Sequence, residues 1–224
     1  MKAHFVHALE TLKDMLSEIA SQAEQAVHSA VDAVEKNSPE SARIVISHDN
    51  DIDDAEILIE EECLKILALY QPVASDLRQV VTILKVNNEL ERVGDLAVNI
   101  AERVEDMALY QEKSIEKFDF HDMVFHACEM LKRALDAMAY HEADTAEAVI
   151  GLDDALDAIH RENYKRVRDM IIKYPAEAQY YMDCLTVSRC LERIGDIATN
   201  IAEDVIYLES GRIVRHCHEG AIRR

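Results

Sequence analysis

The chain has 224 residues, of which 49% are hydrophobic, and it contains only five glycines, three prolines and no tryptophan. This hydrophobic share supports a packed core and excludes wholesale disorder, and the scarcity of turn formers and aromatic residues argues against a β-sheet protein. The formal net charge of −20 repels nucleic-acid phosphates, so we expect no direct nucleic-acid binding. The composition predicts an all-α protein.

Proline positions and short polar breaks divide the chain into predicted helical segments. These span about 4–36, 40–69, 73–110, 115–141, 144–173 and 176–209. Ser38 and Pro39 mark the second start, with Ser38 as N-cap and Pro39 at the first helical position. No apolar run approaches the ~20 residues of a membrane span, and the N-terminus lacks the apolar stretch of a signal peptide. We therefore expect a cytoplasmic protein.

A twelve-residue motif occurs twice, at residues 91–102 and 192–203. Nine of its twelve positions are identical, and the other three pair Val with Ile, Leu with Ile and Val with Thr. The pair Asp49-x-x-x-Asp53 also recurs, as Asp153-x-x-x-Asp157, 104 residues later. The twelve-residue motif recurs after 101 residues, so the second half is three residues shorter between the Asp pair and the motif. These repeats predict two tandem three-helix bundles related by internal duplication. Their predicted limits are 1–112 and 113–214, followed by a polar tail at 215–224.

The motif places its charged side chains opposite an apolar helix face. At 100° per residue, one side of the third segment is apolar, and almost opposite it lie Glu91, Asp95, Asn99 and Glu102. The sixth segment repeats this arrangement with Glu192, Asp196, Asn200 and Glu203. The predicted core residues are Leu90, Val93, Ala97, Ile100 and Val104, and Leu191, Ile194, Ala198, Ile201 and Val205. The acidic stripes are therefore predicted to lie on the bundle surface.

A second acidic stripe follows the second segment, where Asp49, Asp53, Glu56 and Glu60 share one face. Its predicted core face carries Ala55, Leu58, Ile59, Ile66 and Leu69. The fifth segment keeps Asp153 and Asp157 but places His160 and Tyr164 where the first half has Glu56 and Glu60. Two adjacent helices would bring such stripes together over one groove, where converging carboxylates repel unless cations neutralise them.

Charged residues opposite an apolar face are ordinarily a solvated surface, so a metal-free helical scaffold is one open interpretation. Two features favour a binding site. Like charges four residues apart destabilise a helix, yet both halves place Glu and Asp at that spacing in the repeated motif. Gly94 and Gly195 also lie within helices at a cost of about 1 kcal/mol each, which indicates close approach by a helix or an ion, although packing alone remains open. Hard oxygen donors suit Mg, Mn, Fe or Ca, and His160 admits Zn or Fe.

An enzyme is a further open alternative, in the form of a carboxylate-bridged di-metal or ferritin-like protein. Such enzymes need inward-facing carboxylates and paired Glu-x-x-His motifs, whereas this chain offers one unpaired match, Asp157-x-x-His160. No phosphate-binding loop or nucleophile elbow is present, so we predict that the chain is not an enzyme. The odd number of cysteines, with no C-x-x-C spacing, predicts buried reduced thiols rather than disulfides.

These residues resemble the PhoU family of phosphate-transport regulators. The likeness runs from Asp49 through residues 71–78 to Glu91-Arg92-Val93-Gly94-Asp95, and returns at residues 192–207 and 211–216. The resemblance implies tandem three-helix bundles, frequent homodimers and clusters of iron, zinc, manganese or magnesium ions. The metal ligands that it implies are Asp49, Asp53, Glu91, Asp95 and Asn99 in one bundle, and Asp153, Asp157, Glu192, Asp196 and Asn200 in the other.

The resemblance also implies a role and partners. Proteins of this family link the phosphate ABC transporter ATPase to a sensor histidine kinase, and they keep the phosphate regulon off when phosphate is plentiful. Two departures concern the second half. Ile197 stands where many members carry His, and Tyr180-Tyr181-Met182 replaces the Asp-Leu-Arg of the first half. The first cluster is therefore the better furnished of the two.

Overall fold

The computed structural model describes residues 2–110 and 116–214, with Lys2 as backbone only. Within these ranges the chain is all-α, as predicted, and contains no strand. The elements are α1 (Lys2–Lys36), α2 (Pro39–Ser47), α3 (Asp49–Tyr70), α4 (Ala74–Ala108), α5 (His121–Tyr140), α6 (Ala143–Ile150), α7 (Asp153–Lys173), a 3-10 turn (Pro175–Glu177) and α8 (Ala178–Ser210). None of the described helices is both long and apolar enough to cross a membrane.

Each half is a three-helix bundle whose middle segment is split in two. The prediction of one continuous helix over 40–69 is wrong, because α2 ends at Ser47 and α3 begins at Asp49. The segment 144–173 is likewise divided into α6 and α7. The N-terminal start of the second segment is as predicted, since the Ser38 hydroxyl accepts a hydrogen bond from the Ser41 backbone N–H and Pro39 follows it.

The break between α2 and α3 has a local cause. The Ser47 hydroxyl donates to the Ile44 carbonyl over 2.8 Å, and the His48 Nδ1 lies 2.8 Å from the same oxygen. Side chains that bond nearby carbonyls offer the backbone an alternative to continued helix. In the second half the break falls at Gly151 and Leu152, where glycine weakens the helix. The two bundles therefore share a kink at equivalent places for different chemical reasons.

The fourth and sixth segments also begin differently from prediction. Residues 116–120 are non-helical and α5 starts at His121, whereas a start near 115 was predicted. The sixth segment opens with the 3-10 turn at Pro175 before α8. The predicted boundary between residues 112 and 113, and the polar tail at 215–224, lie outside the described residues.

The predicted core faces of the two long motif helices are confirmed. All ten residues named for α4 and α8 are fully buried. The prediction for α3 is partly wrong, because Leu58 and Leu69 face solvent while Ile52, Ile59, Cys63 and Ile66 form the buried face. Apolar side chains occur on both sides of this helix, so hydrophobic periodicity alone does not identify the side that faces the core.

The two bundles are joined by an antiparallel pairing of α4 with α8. Lys85 Nζ lies 3.2 Å from Asp204 Oδ1 near one end, and Arg103 Nη1 lies 3.9 Å from Asp183 Oδ1 near the other. Between them, Asn200 Nδ2 donates to Glu89 Oε1 over 3.3 Å. These polar contacts lie within and just outside the two motifs, so the seam between the bundles runs along the helices that carry the motifs.

Candidate functional site

The first acidic cluster consists of Asp49, Asp53 and Glu56 on α3 with Glu91 and Asp95 on α4. The two helices run antiparallel side by side, and the Asn87 amide on α4 donates to the Glu56 carbonyl on α3 over 2.9 Å. Asp95 is exposed and the other four side chains are partly exposed, so the cluster lies on the bundle surface, as predicted. Glu56 belongs to the predicted acidic stripe but not to the predicted ligands.

Burial and like charge act together on this cluster. Partial burial raises the pKa of Asp49, and the negative charges of Asp53 and Asp95 raise it further. Burial also raises the pKa of Glu91, with added repulsion from Asp95, Asp53, Glu56 and Asp49. The shifts show that α3 and α4 bring the predicted carboxylates into one shared field, where a bound cation would relieve the repulsion.

Gly94 explains how α3 and α4 come so close. A Cβ added at this position would lie 3.1 Å from Ile52 Cδ1 and 3.8 Å from Asp49 Oδ1. The glycine therefore accommodates Ile52, a core residue between Asp49 and Asp53, and sets the separation of the two acidic stripes. Close helix packing accounts for this glycine, which the sequence left open between a helix and an ion.

The second acidic cluster consists of Asp153 and Asp157 on α7 with Glu192 and Asp196 on α8. Burial raises the pKa of Asp153, and the charges of Asp196 and Asp157 add to it. Burial likewise raises the pKa of Glu192 and of Asp196, but arginines offset part of each shift. The second cluster is thus less purely acidic than the first.

Four arginines distinguish the second cluster, and one of them, Arg161, pairs with Asp157 over 3.0 Å. Arg193 lowers the pKa of both Glu192 and Asp196, and Arg92 from the first bundle lowers that of Asp196. Arg92 also pairs with Glu89 over 2.6 Å. The seam between the bundles therefore supplies positive charge to one cluster from the motif of the other.

Gly195 occupies the place of Gly94 in the duplicate, under tighter conditions. An added Cβ would lie 2.2 Å from Leu156 Cδ2, and Leu156 is the counterpart of Ile52. Both mid-helix glycines therefore admit an apolar side chain from the helix that carries the Asp-x-x-x-Asp pair. The same packing device positions both clusters.

His160 contributes to a polar network beside the second cluster. Its Nδ1 lies 2.9 Å from the Ser188 hydroxyl, which also accepts a hydrogen bond from the buried Asn163 amide over 3.1 Å. Burial lowers the pKa of His160, and the nearby charge of Arg189 lowers it further, so the neutral ring is favoured. The sequence offered no signal for this network, because Asn163 and Ser188 replace Ile59 and Asn87 of the first half.

The amide nitrogens of the two predicted asparagine ligands have hydrogen-bond partners other than the clustered carboxylates. The Asn99 amide donates to the Asp95 backbone carbonyl over 2.8 Å, one helical turn away. The Asn200 amide faces Glu89 across the seam between the bundles. Sequence spacing placed both on the acidic stripes, but their hydrogen bonds lie along or between helices.

The clusters contain the type of ligand that a hard cation prefers, but their side chains are not arranged around a common binding position. Across residues 2–110 and 116–214, no three His, Cys, Asp or Glu side chains stand in an arrangement that would hold a metal ion. The first cluster offers only oxygen donors, and burial together with mutual repulsion raises the pKa of its Asp49 and Glu91. Rotation of exposed carboxylates over the α3–α4 groove is therefore the movement that a cation would require.

A ferritin-like enzyme would place its carboxylates inside the bundle. The buried acids of the described residues are Asp183 and Asp204, and both lie at the seam between the bundles beside Arg103 and Lys85. Neither belongs to an acidic cluster. The geometry thus gives this alternative no inward carboxylate pair in the part of the chain that the structure describes.

Comparison with known proteins decides the family. The model of the PhoU domain matches residues 16–104 and again 120–205, so each bundle corresponds to one copy. The chain belongs to the PhoU family. It is 32% identical over 221 residues to "Phosphate-specific transport system accessory protein PhoU homolog 1" of Thermotoga maritima, covering 97% of this chain and 94% of that one.

Solved structures of this family have the same fold. Crystalline PhoU from Pseudomonas aeruginosa superposes with a TM-score of 0.89 at 33% identity, covering 92% of this chain and 99% of that one. The "phosphate transport system regulatory protein PhoU" from Streptococcus pneumoniae gives 0.84 at 28% identity, covering 94% and 99%. The duplicated arrangement of α1–α4 and α5–α8 is therefore the arrangement of PhoU.

Proposed function

We propose that this PhoU-family chain is a cytoplasmic, non-enzymatic regulator of phosphate uptake. It links the phosphate ABC transporter ATPase to the sensor histidine kinase and keeps the phosphate regulon off when phosphate is abundant. The observation that carries the proposal is the agreement of both halves with the PhoU domain, together with an acidic cluster at the same place in each half. The relatives' names assign them to the phosphate-specific transport system.

The proposed role includes cation binding at the two acidic clusters. Asp49, Asp53, Glu91 and Asp95 would hold iron, manganese, magnesium or zinc in the first bundle, with Asp153, Asp157, Glu192 and Asp196 in the second. A bound cation would neutralise the repulsion that adds to burial in raising the pKa of Asp49 and Glu91. It would thereby change the surface charge beside α3 and α4, which gives the adaptor a cation-dependent face.

The adaptor role is tested by binding to purified partners. The ATPase of the phosphate transporter and the cytoplasmic part of the kinase, from the same organism, are immobilised and exposed to the full chain with and without phosphate and Mg²⁺ or Mn²⁺. We expect retention by both. A chain that binds neither partner under any of these conditions contradicts the adaptor role, and a phosphate-regulon reporter that stays repressed after gene deletion contradicts the negative regulation.

Cation binding is tested separately with neighbouring residues. Asp53 faces the first acidic cluster, whereas Asp54 is exposed on the outer side of α3. We expect Asp53→Asn to lower the metal content of dialysed protein, with Asp54→Asn as the matched control. Equal metal content in the two variants and the unmodified chain would assign the metal elsewhere. Size-exclusion chromatography with light scattering tests the expected homodimer.

A further inference from the structure

Helix α3 carries apolar side chains on the side that faces away from the core. This outer apolar face consists of Ile57, Leu58, Leu64 and Leu69, whose side chains are between 52% and 65% exposed. The packing of α3 against the core does not involve these four residues, because its buried side consists of Ile52, Ile59, Cys63 and Ile66. Scattered exposed leucines need no explanation, but four on one 22-residue helix form a patch of the kind that marks an interaction site.

The duplicate provides an internal reference for this face. In α7 the positions that correspond to the four residues, 104 places later, are Arg161, Glu162, Arg168 and Lys173, all exposed. Two other positions differ in the opposite direction, because Tyr164 and Ile172 replace Glu60 and Ala68. A bundle of this fold is thus complete with charged groups at the four positions, so the bundle itself does not require the outer apolar face of α3.

The charges around this face define what can cover it. Helix α3 contains eight carboxylates and one basic residue, Lys65, which pairs with Glu62 over 2.8 Å. Helix α7 contains five carboxylates and five lysines or arginines, so its charges balance. Asp54, Glu60 and Glu61 are exposed beside the apolar side chains, and the first acidic cluster flanks the same helix. At 100° per residue, Asp54, Glu61 and Lys65 fall between the pair Ile57 and Leu64 and the pair Leu58 and Leu69. The outer side of α3 therefore combines apolar side chains with acidic ones.

We propose that the outer apolar face of α3 docks a basic amphipathic helix of another protein. Leucine-like side chains on that helix would cover Ile57 and Leu64, which lie two turns apart, and its lysines or arginines would meet the acidic side chains of the same face. A second copy of this chain is the less suitable occupant, because each copy carries a net charge of −20 and two α3 helices would bring together their unbalanced carboxylates. An anionic membrane surface is disfavoured for the same reason.

The chemistry of the face is tested with two synthetic helices. Both carry leucines on one side, and the remaining positions are lysine in one peptide and glutamate in the other. We expect the lysine peptide to bind the full chain, with an affinity that falls as salt is added, and the glutamate peptide to bind at least tenfold more weakly. Equal binding of the two peptides overturns the choice of a basic partner.

A pair of matched variants locates the binding. Ile57→Gln with Leu64→Gln removes two apolar side chains from α3 without changing net charge, and Tyr164→Gln with Ile172→Gln does the same on α7. We expect the first variant to bind the lysine peptide about tenfold or more weakly and the second to bind it as the unmodified chain does. Circular dichroism and melting temperature confirm that both variants are folded. Equal losses in both variants, or in neither, overturn the proposal.

The identity of the occupant rests on the proposed function, and the same variants test it with the transporter ATPase and the kinase. Retention of the unmodified chain with loss of the α3 variant alone supports docking at this face. Retention of both chains leaves the adaptor role standing and overturns this face as the docking surface for those partners. Failure of the unmodified chain to bind either protein contradicts the adaptor role, while the peptide measurements still decide the surface. A dimer lost only in the α3 variant would show that a second copy covers the face.

Discussion

Lys85 Nζ on α4 lies 3.2 Å from Asp204 Oδ1 on α8, and this contact joins the two bundles. The Asp204 side chain is 2% exposed, whereas that of Lys85 is 40% exposed. The Lys85 ammonium also lies 5.3 Å from the centroid of the Tyr207 ring, which contributes a cation–π contact. A buried carboxylate at the seam between two bundles depends on the positive charge beside it.

Loss of this lysine charge is expected to destabilise the protein. Lys85→Met keeps the aliphatic stem but removes the charged donor to a buried acid, so we expect the free energy of unfolding to fall by about 1–3 kcal/mol. The matched control is Lys132→Met, which breaks an exposed pair with Asp136 on α5 and is expected to change stability by about 0.5 kcal/mol or less. Urea unfolding measures both. Equal changes would mean that the seam contact is no stronger than a surface pair.

The two mid-helix glycines are expected to differ in their tolerance of alanine. Alanine gains about 1 kcal/mol over glycine in a helix interior. At position 94 the added methyl group would lie 3.1 Å from Ile52 Cδ1, which has to shift by only a few tenths of an ångström. At position 195 it would lie 2.2 Å from Cδ2 of the buried Leu156. Overpacking a core costs about 1–3 kcal/mol. We therefore expect Gly195→Ala to be less stable than Gly94→Ala in thermal unfolding.

A double variant tests whether Leu156 is the cause. Leu156→Ala alone leaves a cavity and should cost about 2–5 kcal/mol. In Gly195→Ala with Leu156→Ala the added methyl group occupies part of that cavity, so the double variant should be more stable than the sum of the single changes indicates. Additive single effects would show that the alanine at position 195 is accommodated elsewhere.

The sequence predicted the helix faces of α4 and α8 but not the breaks within the middle segments. A 100° period is a sufficient guide where one side is continuously apolar, as it is from Leu90 to Val104. The end of α2 depends on the Ser47 and His48 side chains bonding the Ile44 carbonyl, a local competition that apolar periodicity does not contain. On α3, leucines on both sides made Leu58 and Leu69 look like core residues.

The candidate site could likewise be predicted from the sequence only in part. The Asp-x-x-x-Asp and Glu-x-x-x-Asp pairs could be predicted because helical spacing alone places each pair on one face. The approach of Arg92 to Asp196, and of Asn200 to Glu89, could not, because both cross between bundles more than 100 positions apart in the chain. These contacts depend on how α4 and α8 pack against each other, and no local pattern specifies that packing.

The described cysteines are expected to react slowly in the folded protein. Cys63, Cys128, Cys184 and Cys190 are free, and all but Cys128 are buried. Burial raises the pKa of the Cys63 and Cys184 thiols to about 12 and that of Cys128 to about 11. Because the thiolate is the reactive form, Ellman's reagent at pH 8 should modify these thiols slowly in a Cys217→Ser chain and rapidly in denaturant. Rapid modification without denaturant would contradict the burial of these helices.

Neutralising one carboxylate of the first acidic cluster is expected to stabilise the metal-free protein. Burial and the charges of four neighbouring carboxylates raise the pKa of Glu91 above its ordinary value of 4.5, so the folded chain binds a proton more readily there than the unfolded chain does. Stability from this group is therefore present below pH 4.5 and is lost as the pH rises through the raised pKa. At pH 7 in EDTA, Glu91→Gln should raise the melting temperature, and the gain should shrink as the pH falls toward 4.5.

The control and the cation response make this prediction specific to the cluster. Glu61→Gln also removes one charge, but from an exposed position on the outer side of α3, so we expect little change in melting temperature. Adding Mg²⁺ or Mn²⁺ should raise the melting temperature of the unmodified chain more than that of Glu91→Gln, because a cation that binds the folded cluster stabilises it by mass action. A larger gain from Glu61→Gln than from Glu91→Gln, or equal cation responses, would mean that repulsion among the clustered carboxylates does not limit the stability of this bundle.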